Sequence, residues 1–279
     1  MASPLAQIWW DTSPVVFEIG PLSIHWYGLL FATGFLAGYS IVQRMFRREG
    51  RPEQDLEVLL LYVFVATVLG ARLGHVLFYD PVYYFSRPYR ILEIWEGGLA
   101  SHGGAIGIFI ALYLYARRRP DQPYLWVLDR IAVPTALAGS LIRLGNFFNS
   151  EIIGVPADVP WAVVFARIDS VPRHPAQLYE SVAYLTIFIA LFLWYRRRKG
   201  ELPDGYLTGS FLTAVFTARF LIEFAKVRQE AFELGIGLSM GQLLSIPMVL
   251  AGVALIAWAR RRRRISTVAG RPAGAPAST

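Results

Sequence analysis

The sequence contains no cysteine. That excludes disulfides, a cysteine nucleophile, thiolate metal sites and iron–sulfur clusters. Charge is also scarce. Asp, Glu, Lys and Arg make up 17% of the 279 residues, whereas soluble chains carry about a quarter. Together with a hydrophobic share of 55%, this excludes a disordered chain and argues against two soluble domains. No His/Asp/Glu cluster has metal-ligand spacing, so neither a metal nor a cofactor is implied. The N-terminal MASPLAQIWWDTSP has no basic region followed by an apolar core and cleavage site, so it does not read as a signal peptide. Trp9 and Trp10 read instead as interfacial anchors.

What is present is apolar sequence in long runs, with a mean hydropathy of +0.42. A membrane span needs ~20 residues. Seven apolar segments are expected, near 22–43, 56–78, 101–116, 125–148, 176–195, 205–225 and 239–259. The expected class is an all-α integral membrane protein of about seven transmembrane helices. The third segment is short, and Gly97, Gly98, Gly103, Gly104 and Gly107 crowd its start. A re-entrant entry near 91–100 accounts for this, since irregular backbone at membrane depth must be buried in protein or line a cavity. The organisation is then an interfacial segment over 1–20, helices one to four over 21–148, a small external cap over 149–175, helices five to seven over 176–260, and a basic, disordered cytoplasmic tail over 261–279. WAVVF at 161–165 is expected to form a short strand in the cap.

Orientation follows from the basic residues. Arg44, Arg47, Arg48 and Arg51 follow the first span, Arg117 to Arg119 the third, Arg196 to Lys199 the fifth, and Arg260 to Arg264 the seventh, with Arg271 beyond. The opposite loops hold only Arg87, Arg90, Arg167, Arg173, Lys226 and Arg228. This alternation puts the N-terminus outside and the C-terminus in the cytoplasm. Because each arginine run abuts a span, the runs set topology and do not indicate nucleic-acid binding.

Polar groups inside spans are expensive and are functional candidates by default. Arg72, His75, His102, Arg143, Arg219 and Glu223 qualify. Arg219 and Glu223 stand at i, i+4, so they share one helix face. The densest polar patch is RLGNFFNSEIIG at 143–154, where Arg143, Asn146, Asn149 and Glu151 sit among Leu, Phe and Ile, with Gly145 and Gly154 allowing close approach. A guanidinium suits bidentate phosphate binding. His102 opens the third span, followed by Gly103 and Gly104, which permit tight packing or close ligand approach. His174, Gln177, Tyr179 and Glu180 lead into the fifth span, and Ser239, Gln242 and Ser245 into the seventh, where such groups bridge helices. Most of these lie toward the outer ends of their spans. That suits an anionic substrate reached from the outer leaflet, such as a phospholipid headgroup. A transporter or lipid-binding protein could use the same arginines for an anionic ligand, although no internal repeat supports a transporter built from duplicated halves.

SIHWYG (23–28), LGARLGHVLFY (69–79), WEGGLASHGGAIG (95–107), RLGNFFNSEIIG, PRHPAQLYE (172–180), ARFLIE (218–223) and SMGQLLSIP (239–247) occur in this order. In these motifs the chain resembles the bacterial prolipoprotein diacylglyceryl transferase family, over about 20–260. The resemblance implies a bacterial inner-membrane enzyme whose active site faces out. It would move the diacylglyceryl group of phosphatidylglycerol to the lipobox cysteine of a prolipoprotein signal peptide, forming a thioether and releasing glycerol phosphate. By the same resemblance the family's tyrosine falls on Tyr27, its histidine on His102, its signature residues on Arg143, Asn146, Glu151 and Gly154, and its later pair on Arg219 and Glu223. The expected catalytic residues are His102, as base or proton relay, and Arg143 and Arg219, as phosphate clamp with Glu223 orienting Arg219. Tyr27, Gly103, Gly104, Asn146, Asn149, Glu151, Gly154, His174, Gln177, Glu223 and Gln242 are the expected substrate-binding residues. The chain departs from the family pattern at Val215, often tyrosine, and over 226–229, where Lys226, Val227, Arg228 and Gln229 replace a usual Arg-x-Pro-Asp.

Overall fold

The computed structural model describes residues 8–20, 22–93, 97–98, 100–198, 201–227 and 237–269. Contacts divide the chain into two units, Met1–Ile41 with Asp129–Thr279, and Val42–Leu128.

Eight helices are described: α1 (Trp26–Arg48), α2 (Glu53–Phe78), α3 (Pro81–Ser86), α4 (Ser101–Arg117), α5 (Tyr124–Asn149), α6 (Ala176–Arg197), α7 (Tyr206–Ile222) and α8 (Met240–Ala269). Five short strands accompany them: β1 (Ile8–Trp10), β2 (Val15–Ile19), β3 (Leu22–His25), β4 (Val163–Phe165) and β5 (Pro172–Arg173). Among the described residues, six helices are long and apolar enough to cross a membrane. All seven expected segments are helical. The one that falls short is α4, at 17 residues. The protein is therefore a mainly helical integral membrane protein. The first helix starts later than expected, because Leu22–His25 pairs with Val15–Ile19 as a hairpin. The last helix runs on to Ala269, past the expected start of the tail, and residues 270–279 lie outside the described residues.

In the Val42–Leu128 unit, α2 and α4 meet along glycines. A Cβ on Gly103 would lie 2.3 Å from the Gly70 carbonyl oxygen and 2.7 Å from Gly74 Cα. Small residues let backbones approach where lipid gives no hydrophobic drive to pair. Gly103 and Gly104 are buried and serve this packing, the first of the two uses foreseen for them. At the other end of α4, Asp55 accepts from Arg119 Nε at 2.7 Å and from Gln122 Nε2 at 2.6 Å. Tyr115 donates to the Asp55 carbonyl at 3.1 Å, or to Gln122 Oε1 at 2.7 Å. Arg119 thus holds a polar knot together as well as adding to the arginine skirt.

Arg72, a functional candidate by its sequence position, is 4% exposed. Its fork donates to the backbone carbonyls of Ile91 (2.9 Å), Gly97 (2.6 Å), Gly98 (3.2 Å), Arg90 (2.5 Å) and Glu93 (3.1 Å). Five N–H groups in a fixed plane make arginine the side chain able to do this. The irregular 3₁₀ turn Pro88–Leu92 and the glycines after it are wrapped on this guanidinium. Residues 94–96 and 99 of the expected re-entrant stretch lie outside the described residues.

In the other unit, α1 and α5 approach closely where Gly34 and Gly38 face Ala138 and Pro134. Asp129 on α5 is fully buried and accepts from Gly205 N (2.9 Å), Thr208 N (2.8 Å) and Thr208 Oγ1 (2.6 Å). An anion there satisfies orphan donors at the α7 N-terminus and complements its dipole. Helices α7 and α8 touch at Gly209 and Gly252. In the segment between α5 and α6, β4 pairs with β1 in parallel and with β5 antiparallel. Phe147, Val163 and Phe165 form its core, with Trp10, Ile153 and Leu178 against it. The strand expected within WAVVF is β4.

Arg72→Lys should destabilise the protein by about 2 kcal/mol or more, since several buried carbonyls lose a donor at ~1 kcal/mol each. Thermal unfolding in detergent and faster proteolysis within 88–98 would register it. A lysine, with one nitrogen, should not restore what the fork supplies.

Candidate active site

The site grows from the C-terminal end of α5. Arg143 Nε lies 2.8 Å from Glu180 Oε2, and Nη1 donates to Asn146 Oδ1 at 3.2 Å. Asn146 Nδ2 donates to Glu151 Oε2 at 2.9 Å, and Asn149 Nδ2 to Glu151 Oε1 at 3.2 Å. The backbone makes this possible by an unusual turn. Ser150 (φ 57°) and Ile152 (φ 55°) both take the left-handed conformation on either side of Glu151. For a β-branched residue that is a true outlier, and such strain costs of order 1–3 kcal/mol. The turn folds Glu151 back, with its N–H on the Asn146 carbonyl at 2.9 Å. Arg167 helps to hold it, donating to Phe148 O at 2.6 Å and to Ser150 Oγ at 2.9 Å.

Helix α6 supplies the second wall. Gln177 is fully buried and donates to the Glu151 carbonyl at 2.5 Å. Glu180, one turn on, is also fully buried. Its Oε1 accepts from Lys226 Nζ at 2.8 Å and from the Tyr184 hydroxyl at 3.3 Å. Lys226 also reaches Glu223 Oε2 at 3.2 Å. Charged groups this deep are stable only as a mutually satisfied set.

The segment between α5 and α6 meets this cluster at Gly154. Gly154 N donates to the His174 carbonyl at 3.1 Å, Val155 N to the Ala225 carbonyl at 2.9 Å, and Val227 N to the Ile153 carbonyl at 3.3 Å. A Cβ on Gly154 would lie 2.2 Å from the His174 oxygen and 2.7 Å from the Ala225 oxygen. Only glycine fits between the two strands of chain. His174 Nδ1 is 3.0 Å from the Tyr179 hydroxyl, which accepts from Trp161 Nε1 at 2.7 Å. Nearby, the Arg173 guanidinium holds the Asp169 carboxyl below the usual carboxylate range, through a bond of 2.5 Å.

The expected residues therefore divide. Arg143, Asn146, Asn149, Glu151, Gly154, His174, Gln177 and Glu223 lie in one connected set. Tyr27 joins its edge, its ring packed on the bare backbone of Gly145. Arg219 belongs to α7, and Tyr184 lies within electrostatic reach of both it and Arg143. Two expectations change. Glu223 does not orient Arg219, since its carboxylate is taken by Lys226. Gln242 closes a capping box at the start of α8. Its backbone N–H donates to Ser239 Oγ (3.2 Å), its Oε1 accepts from Ser239 N (3.0 Å) and its Nε2 donates to the Phe220 carbonyl (3.4 Å). That amide is used inside the protein, as a bridge from α8 to α7. His102, Gly103 and Gly104 belong to the Val42–Leu128 unit. There His102 is exposed, against the rings of Phe78 (5.5 Å) and Tyr79 (5.9 Å). Arg228 and Gln229 lie outside the described residues.

Sequence reasoning placed Glu180 at the entry of the fifth span but not among the expected site residues, and it treated Lys226 only as a loop cation and a departure from the family pattern. The signal for Glu180 was available: a carboxylate at the fifth position of an apolar helix, one turn after Gln177. Two buried amide oxygens of the site, Gln177 Oε1 and Asn149 Oδ1, have no hydrogen-bond partner among the described residues. They leave the site able to receive donors as well as an anion.

These features define a polytopic helical membrane protein that concentrates arginines, carboxylates and amides at one end of its helices, with no metal-binding group among the described residues. A family model described as prolipoprotein diacylglyceryl transferase matches residues 14–258. A protein of Tolumonas auensis named phosphatidylglycerol–prolipoprotein diacylglyceryl transferase is 54% identical over 250 residues, covering 90% of this chain and 96% of its own. Proteins of the same name from Chloroherpeton thalassium and Porphyromonas gingivalis are 53% and 49% identical, over 90% of this chain and 94% of theirs. The chain belongs to the prolipoprotein diacylglyceryl transferase family, a family of bacterial membrane transferases.

Gly154→Ala should disturb the junction of the segment between α5 and α6 with the end of α7, because two backbone oxygens must retreat. An expected loss of about 1–3 kcal/mol in stability would appear as a lower melting temperature, together with greater protease sensitivity in 150–175. Ser239→Ala should cost ~1 kcal/mol by removing the cap of α8.

Proposed function

We propose that this chain transfers the diacylglyceryl group of phosphatidylglycerol to the lipobox cysteine thiol of a prolipoprotein, forming a thioether and releasing glycerol phosphate. The observation that carries the reading is the arginine pair: Arg143 fixed by Glu180 and Asn146, and Arg219 without a carboxylate partner among the described residues. Family membership favours this transfer over the transporter or lipid-binding alternative.

The reaction attacks an sp³ carbon, so no oxyanion hole is needed. The thiol must lose its proton, because the thiolate is the nucleophile. The departing phosphate must be held while its charge develops. Arg143 and Arg219 form the clamp, and positioned donors at developing charge supply several kcal/mol. The orphan acceptors Gln177 Oε1 and Asn149 Oδ1, with Asn146 and the hydroxyl of Tyr27, meet the hydroxyl donors of the glycerol headgroup. Glu151 holds the two asparagines, and Gly154 and His174 shape the entrance. His102 accepts the thiol proton. The protein sits in the bacterial inner membrane with its N-terminus and site outside and the arginine runs in the cytoplasm. Its partners are phosphatidylglycerol and the prolipoprotein signal peptide.

The test is transfer from phosphatidylglycerol to a lipobox peptide, read as a thioether-linked product by mass spectrometry. Arg143→Ala should lower turnover on the order of 10²-fold or more. Near-normal turnover would end the clamp. His102→Gln should lower it by about 10²-fold as well if the imidazole carries the proton. A fully active variant would move that role elsewhere.

A further inference from the structure

Lys226 is 7% exposed and stands at the end of the 3₁₀ turn Glu223–Ala225. Its ammonium meets two carboxylates, Glu180 Oε1 at 2.8 Å and Glu223 Oε2 at 3.2 Å. Its backbone is fixed too, bridged to Gly154, with the neighbouring Ala225 and Val227 bonded to Val155 and Ile153. The side chain is thus anchored at both ends.

This has a consequence for Arg219. An arginine and a glutamate four residues apart in a helix are placed to pair. Arg219 and Glu223 have that spacing, yet Arg219 has no ion-pair partner among the described residues. The Glu223 carboxylate lies instead on Lys226 and against the backbone of Gly241, where an added Cβ would come within 2.5 Å of Oε1. A partly buried guanidinium without a counter-ion is costly in a membrane protein. An incoming anion removes that cost, and a carboxylate already in place would compete with it.

We infer that Lys226 is a positioning residue that holds Glu223 away from Arg219 and so keeps the Arg219 guanidinium open to the phosphate of the lipid substrate. The inference rests on the phospholipid-transfer reading proposed above. The same ammonium steadies Glu180, on which Arg143 docks, so one lysine sets the state of both arginines. Without the ammonium, Glu223 is released to its i, i+4 neighbour. Arg219 then becomes half of an internal ion pair, and the phosphate must displace a carboxylate to bind. The effect falls on binding of the lipid before it falls on chemistry.

The experiment uses the full chain in detergent micelles. Binding of phosphatidylglycerol is measured by its stabilisation against heat, with phosphatidylcholine as control. KM and kcat for transfer are measured alongside. The variants are K226R, K226M, E223Q and K226M/E223Q. K226M should raise both the Kd and the KM for phosphatidylglycerol by about tenfold, with a smaller change in kcat. K226R, which keeps the cation, should stay near wild type. Adding E223Q to K226M should recover most of the lost binding, because no carboxylate is left to capture Arg219. Wild-type binding by K226M, or a double variant no tighter than the single one, would overturn the inference. If K226M does not fold, K226Q keeps a donor to Glu180 without the charge and carries the same comparison. Wild-type protein that binds the lipid but transfers nothing would sink the transfer reading alone, and the binding order of the variants would still decide the role of Lys226.

Discussion

One carboxylate, that of Glu180, organises the polar interior of the larger unit. It is fully buried, and a lone carboxylate there would be prohibitively costly. Arg143 meets one of its oxygens and Lys226 the other, both at 2.8 Å. Each cation is in turn tied to another part of the chain. Arg143 leads through Asn146 to Glu151 and the strained turn at 150–152. Lys226 leads to Glu223 and, through its backbone, to Gly154. Helices α5, α6 and α7 and the segment between α5 and α6 therefore share one electrostatic junction. A change in any member leaves another charge unpaired, which is why the cluster behaves as a unit.

The arginines show how partners, more than residue type, decide a role. Arg72 is buried among five carbonyl oxygens and shapes the segment before α4. Arg119 is held by Asp55 and closes the far end of α2 and α4. Arg143 is fixed by a carboxylate and an amide. Arg219 has neither among the described residues. All four carry the same charge, and Arg72, Arg143 and Arg219 lie within spans. Only the arginines with donors left over suit an anionic ligand.

The helical part of the fold was legible because its cause is one-dimensional. Apolar runs of about the bilayer thickness must be helical to satisfy their own backbone, and α1, α2 and α4 to α8 follow the expected segments. The arginine–asparagine–glutamate patch was legible for a similar reason, since Arg143 and Asn146 are neighbours by helical spacing. The same logic misled at Arg219 and Glu223. Their spacing permits a pair, but Lys226 stands three residues beyond Glu223 and takes the carboxylate. Gln242 misled in another way. A buried glutamine near a site suits a ligand as well as it suits a helix cap, and only the positions of Ser239 and Phe220 choose. The strain at Ser150 and Ile152 had no signature at all, because neither residue type announces a left-handed backbone.

The class, the spans, the family and the residue types that carry the chemistry were all readable along the chain. These depend on composition, local periodicity and ordered motifs, all of which are properties of the chain read in line. The tertiary structure decided which charge meets which. It brought Glu180 between Arg143 and Lys226, residues 37 and 46 positions away from it, and it assigned Glu223 to Lys226 in place of Arg219. Ion pairing in a low-dielectric interior is fixed by distances of a few ångströms between separate helices. No spacing along one helix encodes those distances.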